Sequence, residues 1–437
     1  MKSQLLTLSG VTPSTAESRL REYLEGLDTR LTQVSPNQVI LAGPHARALR
    51  DAYTKAGASA ILQQAGVVKT TPLSDSEVVA VLRTRDSEAT SPPQDFATLA
   101  GLPSDWHLDN TRTRTAWQMI AGAPDAIDWL DVRVGHVDTG YTRHPAFGFE
   151  PGPWVDVAAA ETFFVPRSEG PVDPPPEPGK GVDPLIGGFN RGHGTKSGST
   201  IVGRATSDSY YGIAPGCPIV SVRICDTVLI NDRENEFGLA VNHVLRNNVS
   251  VITVCLGIWM ATTRSVVRKA VDRAYEQGVI MICAAGQYVD GVVSPASLPR
   301  TVAVAGTTFE DVPWGHSCHG PEVDLSGPAA DIKSAAAKLH SGKPTYSYAD
   351  AGDGTTYATA MVSGAAALWL LHRRDELGAA YPEPWQKVEA FRQCVRASAR
   401  KPPGWPAGFG EGILNVKALL ETPLPAAAEL SKDKPAA

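Results

Sequence analysis

The sequence predicts an α/β protein: a three-layer domain with a mainly parallel central sheet, preceded by a small α/β N-terminal domain. Three observations lead there. Five short runs are apolar almost throughout: 132–137 (VRVGHV), 218–224 (PIVSVRI), 250–256 (SVITVCL), 279–285 (VIMICAA) and 301–306 (TVAVAG). Strands that are apolar on both sides belong to parallel sheets covered on both faces. Stretches of helical length, 237–247, 266–277 and 359–374, alternate with or follow these runs. In such folds functional groups collect beyond the carboxyl ends of the strands.

The elements follow in order. Residues 1–94 read as a separate α/β domain with its linker. Ser14 to Leu27 has helical spacing and a Ser/Thr-rich start suited to an N-cap, Gln38 to Leu41 suits a strand, and His45 to Ala56 a second helix. Strand-like Ala58 to Leu62 and Val78 to Leu82 come next, before a polar, Pro-containing linker at 83–94. Residues 95–421 form the larger domain. Within it, Pro166 to Pro184 holds seven prolines and is expected to be an exposed insertion loop. Residues 422–437 read as a disordered tail.

Composition excludes several classes. With 43% hydrophobic and 20% charged residues, the chain can bury a sizeable core. Forty Lys+Arg against 46 Asp+Glu give a net charge of -6, which argues against a nucleic-acid partner. No apolar run approaches the roughly 20 residues that span a bilayer, so no membrane partner is expected. The six cysteines, Cys217, Cys225, Cys255, Cys283, Cys318 and Cys394, show no CxxC pairing and read as small buried hydrophobes. Met1 to Gly10 carries one lysine and a Thr/Ser-broken apolar stretch, unlike a secretory signal. Cytoplasmic residence is the default expectation, with export by a route lacking a cleaved signal left open.

Three motifs carry chemistry. The run 132–137 ends in Asp138-Thr139-Gly140, a carboxylate at a strand end followed by a glycine turn. Gly192-His193-Gly194-Thr195 places an imidazole between glycines. Gly354-Thr355-Thr356-Tyr357-Ala358-Thr359-Ala360-Met361-Val362-Ser363-Gly364 opens a helix of small residues. Taken singly, each suits a turn, a loop histidine or a tightly packed helix.

In this order and context the three resemble the subtilisin-like serine peptidases, the subtilases. The resemblance extends over most of 105–420 and includes Tyr211-Gly212-Ile213-Ala214-Pro215, Cys255-Leu256-Gly257, Ala284-Ala285-Gly286-Gln287 and Ser294-Pro295-Ala296. It implies peptide-bond hydrolysis through a triad. His193 would be general base and then acid, Asp138 would orient the ring, and the nucleophile would sit in the first turn of the last motif's helix. Chemistry of this kind needs no metal or other cofactor.

Two positions depart from the family pattern. Thr356 stands where the family has Ser; its hydroxyl can still attack, but the added methyl stiffens χ1. Gln287 stands where the family's oxyanion-hole Asn is expected, with the amide on a stem longer by about 1.5 Å. An endopeptidase with a retuned site is the favoured expectation, because both functional groups are kept. A weak or inactive pseudo-peptidase that binds peptide or protein is the alternative.

The resemblance also implies a peptide or protein substrate added as a strand beside Val254 to Gly257 and Arg223 to Asp226. Leu256, Gly257, Ala285 and Gly286 would wall the pocket for the side chain before the scissile bond, with Ile258, Trp259 and Met260 as an apolar rim. Many family members carry an N-terminal prosegment that covers the active site, and residues 1–94 have the position and size for one. Structural Ca²⁺ is the one metal the resemblance suggests, with oxygen ligands available between Asp173 and Asp183 or between Asp350 and Asp353.

Overall fold

The computed structural model describes residues 103–436 apart from 150–152, 165–179, 186–189, 206–208, 260–261, 290 and 350–351, together with four strands nearer the N-terminus. Those strands belong to the smaller of two compact units: β1 (Ser3–Leu8), β2 (Arg30–Ser35), β3 (Gln38–Ala42) and β4 (Val67–Leu73). They pair antiparallel in the order β2-β3-β1-β4. The expected strand at Gln38 lies within β3. The expected helices at Ser14 and His45, the strands at Ala58 and Val78, and the linker at 83–94 lie outside the described residues.

The larger unit carries, in chain order, β5 (Val134–Asp138), β6 (Glu161–Thr162), α1 (His193–Val202), β7 (Ile219–Arg223) and α2 (Glu234–Arg246). Next come β8 (Val251–Val254), α3 (Ser265–Glu276), β9 (Ile280–Ala284), β10 (Val302–Thr307) and β11 (Val323–Pro328). A hairpin of β12 (Ser334–His340) and β13 (Lys343–Ala349) precedes α4 (Thr355–His372) and α5 (Pro384–Ala397). Seven strands form one parallel sheet in the order β11-β10-β9-β8-β5-β7-β6. All five apolar runs are strands of it, and all three expected helices are helices.

Alternation along the strands builds the layers. Val137, Val222, Val254 and Cys283 point to the side where Phe237 and Val241 of α2 meet Val267 and Val271 of α3. His136 and Asp138, one residue out of step with Val137, point to the other side, towards α1. The strand order reverses around β5, with β7 on one side and β8 on the other. The carboxyl end of β5 therefore opens onto a crevice, where parallel sheets hold their ligands. α4 is buried over nearly its whole circumference. A helix apolar all round belongs in a core.

Two expectations are corrected. The end of the Pro-rich segment is not an exposed loop: Gly181 and Asp183 are buried, Tyr141 N–H donates to Gly181 O, and Asp183 N–H to Tyr141 O. Residues 166–179 of that segment lie outside the described residues. The tail at 422–437 is not disordered where it is described. Leu430 is buried, the main-chain oxygen of Asp433 accepts from Nε and Nη2 of the buried Arg300, and its carboxylate accepts from Arg392. Arg300 already pairs with Asp272 and the half-buried Arg392 with Glu389, and this segment adds further carbonyl and carboxylate partners.

Sequence reasoning missed β11, whose run VDLSGP carries turn residues. Asp324 is nevertheless fully buried there, accepting Ala303 N–H at 2.8 Å and paired with Arg396. Tertiary pairing outweighs local propensity at such a strand. No helix among the described residues is long and apolar enough to cross a membrane.

Candidate active site

β5 is buried at all five positions and ends at Asp138. The chain turns away through Gly140 at φ +99°. A Cβ on Gly194 would run into the Gly140 carbonyl oxygen, so only glycine lets the start of α1 touch the end of β5. Thr139 fastens the two: Gly194 N–H donates to its Oγ1 at 3.0 Å, and Oγ1 donates to Asp183 Oδ2 at 3.2 Å.

His193 is the first residue of α1. Its Nδ1 lies 2.7 Å from Asp138 Oδ1, and its Nε2 lies 3.1 Å from Thr356 Oγ1 in the first turn of α4. Asp138 is fully buried and the His193 side chain is 13% exposed, so the line runs from the core to the surface. Burial opposes the charge on Asp138. The attraction and hydrogen bond of His193, the His136 ring and the Thr139 N–H outweigh it, and the carboxyl pKa lies below its ordinary value. The structure thus brings Asp138, His193 and Thr356 together.

The far oxygen of Asp138 has partners that sequence reasoning missed. Ser197 Oγ donates to Asp138 Oδ2 at 3.2 Å and lies 2.8 Å from His136 Nε2. Their spacing carried a signal. His136 and Asp138 are two apart on a strand, and His193 and Ser197 are four apart on a helix, so each pair shares a face.

The residues expected to wall a substrate pocket differ in their surroundings. Leu256 turns its side chain into the core beside α2 and α3, leaving only its backbone for a pocket. Ala285 is fully buried, and Gly286 holds φ +99°. Val293 stands between the glycines: a Cβ built on Gly257 would lie 2.8 Å from Val293 Cγ2, and one on Gly286 2.8 Å from Cγ1. Gln287 follows Gly286 and is half-buried. Ile258 and Trp259 form no rim; both are buried, Ile258 bridged to Ser294 and Trp259 held by Asn231. Met260 lies outside the described residues.

The strand edge at Gly257 also differs from expectation. Gly257 N–H donates to Val228 O and Gly257 O accepts from Ile230 N–H, so the chain itself uses both groups. Cys255 Sγ lies 3.5 Å from Thr356 O, and burial pushes its thiol pKa well above the ordinary value. A protonated thiol there is a donor to that carbonyl, not a nucleophile. All six cysteines are buried, and none is in a disulfide.

The proposed calcium ligands Asp173 and Asp350 lie outside the described residues. Asp183 gives its oxygens to Leu185 N–H, Gly192 N–H and Thr139 Oγ1, and Asp353 accepts Asp331 N–H. Asp183 thus has the donor set of a structural carboxylate. No cluster of three or more His, Cys, Asp or Glu among the described residues is arranged to hold a metal ion.

A mainly parallel sheet covered by helices, with an acid, an imidazole and a hydroxyl meeting at its carboxyl edge, makes this an α/β protein of the subtilisin-like fold class. The Subtilase family profile matches residues 130–412, well over half of the chain, and the chain belongs to that family. Among curated relatives, it is 30% identical over 185 residues to the thermostable alkaline protease of Halalkalibacterium halodurans, covering 41% of this chain and 47% of that protein. It is 28% identical over 290 residues to the extracellular serine proteinase of a Thermus species, covering 64% of each. The chain thus spans about half the length of the first of these relatives. Among solved structures, the prenylagaramide maturation protease PagA superimposes with TM-score 0.51 at 22% identity, covering 71% of this chain and 97% of that one. MycP1 of the ESX-1 type VII secretion system gives TM-score 0.54 at 21% identity, covering 75% and 88%. These two likenesses are of fold.

Proposed function

We propose that this chain is an endopeptidase that cleaves peptide bonds through an acyl-enzyme on Thr356. The observation that carries the reading is the double hydrogen bonding of His193, at 2.7 Å to Asp138 and 3.1 Å to Thr356. With Nδ1–H held by the carboxylate, Nε2 is free to accept a proton from the hydroxyl. Thr356 Oγ1 attacks the scissile carbonyl carbon as its proton passes to Nε2. The C–N bond then breaks, and His193 returns that proton to the leaving amine. Water repeats the attack on the ester with His193 again as base, releasing the acid and restoring the hydroxyl.

The developing oxyanion is met by the backbone N–H of Thr356, one of the unpaired donors of a helix's first turn, and by the Gln287 side-chain amide. Val293, between Gly257 and Gly286, makes the pocket shallow. The substrate class is therefore extended peptide with a small residue, Gly or Ala, before the scissile bond. The peptide backbone must exchange with Val228 and Ile230 to reach the main chain of Gly257.

The test is to incubate the chain, its Thr356→Ser form and its Thr356→Ala form with a broad peptide library and a hydroxyl-directed phosphonate probe. Cleavage and labelling by the first two but not the third is expected. A natural chain that does neither, while Thr356→Ser does both, would replace this reading with that of a peptide-binding module.

A further inference from the structure

The site contains a second imidazole that the hydrolytic steps do not use. His136 is 1% exposed, and its Nε2 lies 2.8 Å from Ser197 Oγ and 3.6 Å from Asp138 Oδ2. Ser197 Oγ in turn lies 3.2 Å from Asp138 Oδ2. Asp138 is thus held from two sides: Oδ1 by His193 and by Thr139 N–H, and Oδ2 by Ser197 with His136 behind it.

We propose that His136, acting through the Ser197 hydroxyl, is a positioning residue for Asp138 that sets how strongly this carboxylate holds the His193 ring. A hydroxyl has one proton; Ser197 Oγ lies 3.1 Å from His193 O, 3.5 Å from Gly194 O and 3.2 Å from Asp138 Oδ2, and the anionic carboxylate is the strongest of these acceptors. Once that proton points to Oδ2, the lone pairs of Ser197 face His136, and Nε2 of His136 must be the protonated nitrogen. The ordered line is therefore His136 Nε2–H to Ser197 Oγ, and Ser197 O–H to Asp138 Oδ2. It fixes the carboxylate plane with Oδ1 turned to His193.

The surroundings suit a neutral donor. Burial lowers the His136 pKa, Asp138 partly restores it, and His193 lowers it again. Asp138 and His193 are the titratable groups acting on this ring. The thiols of Cys225 and Cys255 that face Asp138 are held protonated by burial. The ring packs over Gly198 on α1, whose Cβ would lie 3.5 Å from His136 Cε1.

The effect on catalysis rests on the peptidase reading, whereas the effect on the His193 ring does not. Each donor on Asp138 withdraws charge from it, so losing one makes the carboxylate hold the protonated His193 more strongly. The full chain with ¹⁵N-labelled histidine is titrated by NMR, with the His193 signals assigned by their loss in His193→Gln. Ser197→Ala and His136→Phe are expected to raise the His193 midpoint by about one pH unit. His136→Gln, which keeps an N–H donor at the end of its side chain, should return it towards the natural value. The acid limb of kcat/KM should move in the same sense.

A purely structural His136 would lower the melting temperature and leave the His193 midpoint in place, which would overturn the proposal. A shift in Ser197→Ala but none in His136→Phe would also overturn it, assigning the effect to the serine alone. Should His136→Phe not fold, Ser197→Ala and His136→Gln still decide: an unmoved midpoint in Ser197→Ala rejects the relay. Absence of peptide cleavage with the midpoints shifted as expected would reject the peptidase reading and leave the relay standing.

Discussion

The isopropyl group of Val293 faces the α-carbon of Gly286 so closely that a methyl on that glycine would lie 2.8 Å from Val293 Cγ1. The same side chain faces Gly257, and Val293 itself is 5% exposed. A side chain placed between these glycines meets two methyls instead of open space. Val293→Gly should therefore admit Leu or Phe before the scissile bond, raising kcat/KM for such peptides by about ten- to hundredfold over the natural chain. Profiling both forms on a peptide series varied at that one position checks this, and an unchanged profile would exclude Val293 as the pocket floor.

Gln287 is assigned to the oxyanion, a charge that exists only during reaction. Gln287→Ala should lower kcat by about a hundredfold and leave KM nearly unchanged. Steady-state kinetics at saturating and limiting peptide separate the two constants. Full activity in this variant would remove Gln287 from the mechanism.

His107 predicts a pH effect on stability away from the site. It is fully buried, and burial lowers its pKa from 6.5 to about 4, with Asp105 raising it and Arg114 lowering it. Above pH 6.5 the ring is neutral in the folded and unfolded chains alike. As pH falls below that value the unfolded chain takes up a proton that the folded chain refuses, so stability declines until about pH 4. The total loss is about 3 kcal/mol. Urea midpoints measured between these limits should fall in the natural chain and flatten in His107→Phe.

Asp138 is also shifted downward, so it too loses stability as pH falls. Its folded pKa is depressed, so its stabilising contribution is complete above the ordinary carboxylate range near 4 and vanishes as pH falls through the folded value. Asp138→Asn should remove that acid-side dependence. Comparing the low-pH unfolding transitions of the two forms is the check, and identical transitions would contradict the depressed pKa.

The segment ending in Asp433 should be worth measurable stability. The Asp433 carboxylate accepts from Arg392 at 2.9 Å, and Asp433 N–H donates to Tyr275 Oη at 2.9 Å. Asp433→Ala leaves the largely buried Arg392 with one anion fewer and should cost about 1–3 kcal/mol. A thermal midpoint equal to that of the natural chain would mean the segment is not docked in solution.

Much of this was written locally. A strand that is apolar on both faces announces a covered parallel sheet, which is why 132–137, 218–224, 250–256, 279–285 and 301–306 could be read directly. Asp138, His193 and Thr356 were recognisable because three motifs, each ambiguous alone, stand in the order and context that resemble the subtilases. The docked tail was not legible, since proline, alanine and lysine look like solvated chain, and only the fold shows that Asp433 joins the carboxylates already around Arg300 and Arg392. β11 was hidden for the same reason, its buried Asp324 being held by Ala303 N–H, Arg392 and Arg396.

By itself, then, the sequence determined the α/β class, five of the seven strands of the sheet and the three residues that could form an acid–imidazole–hydroxyl line. Folding alone decided that Val293 fills the space between two glycines, that Val228 and Ile230 occupy the main chain of Gly257, and that His136 reaches Asp138 through Ser197. The physical reason is that periodicity and turn chemistry are properties of neighbours along the chain. The filling of a pocket and the pairing of a buried polar atom depend on which distant residues the sheet brings within a few ångströms.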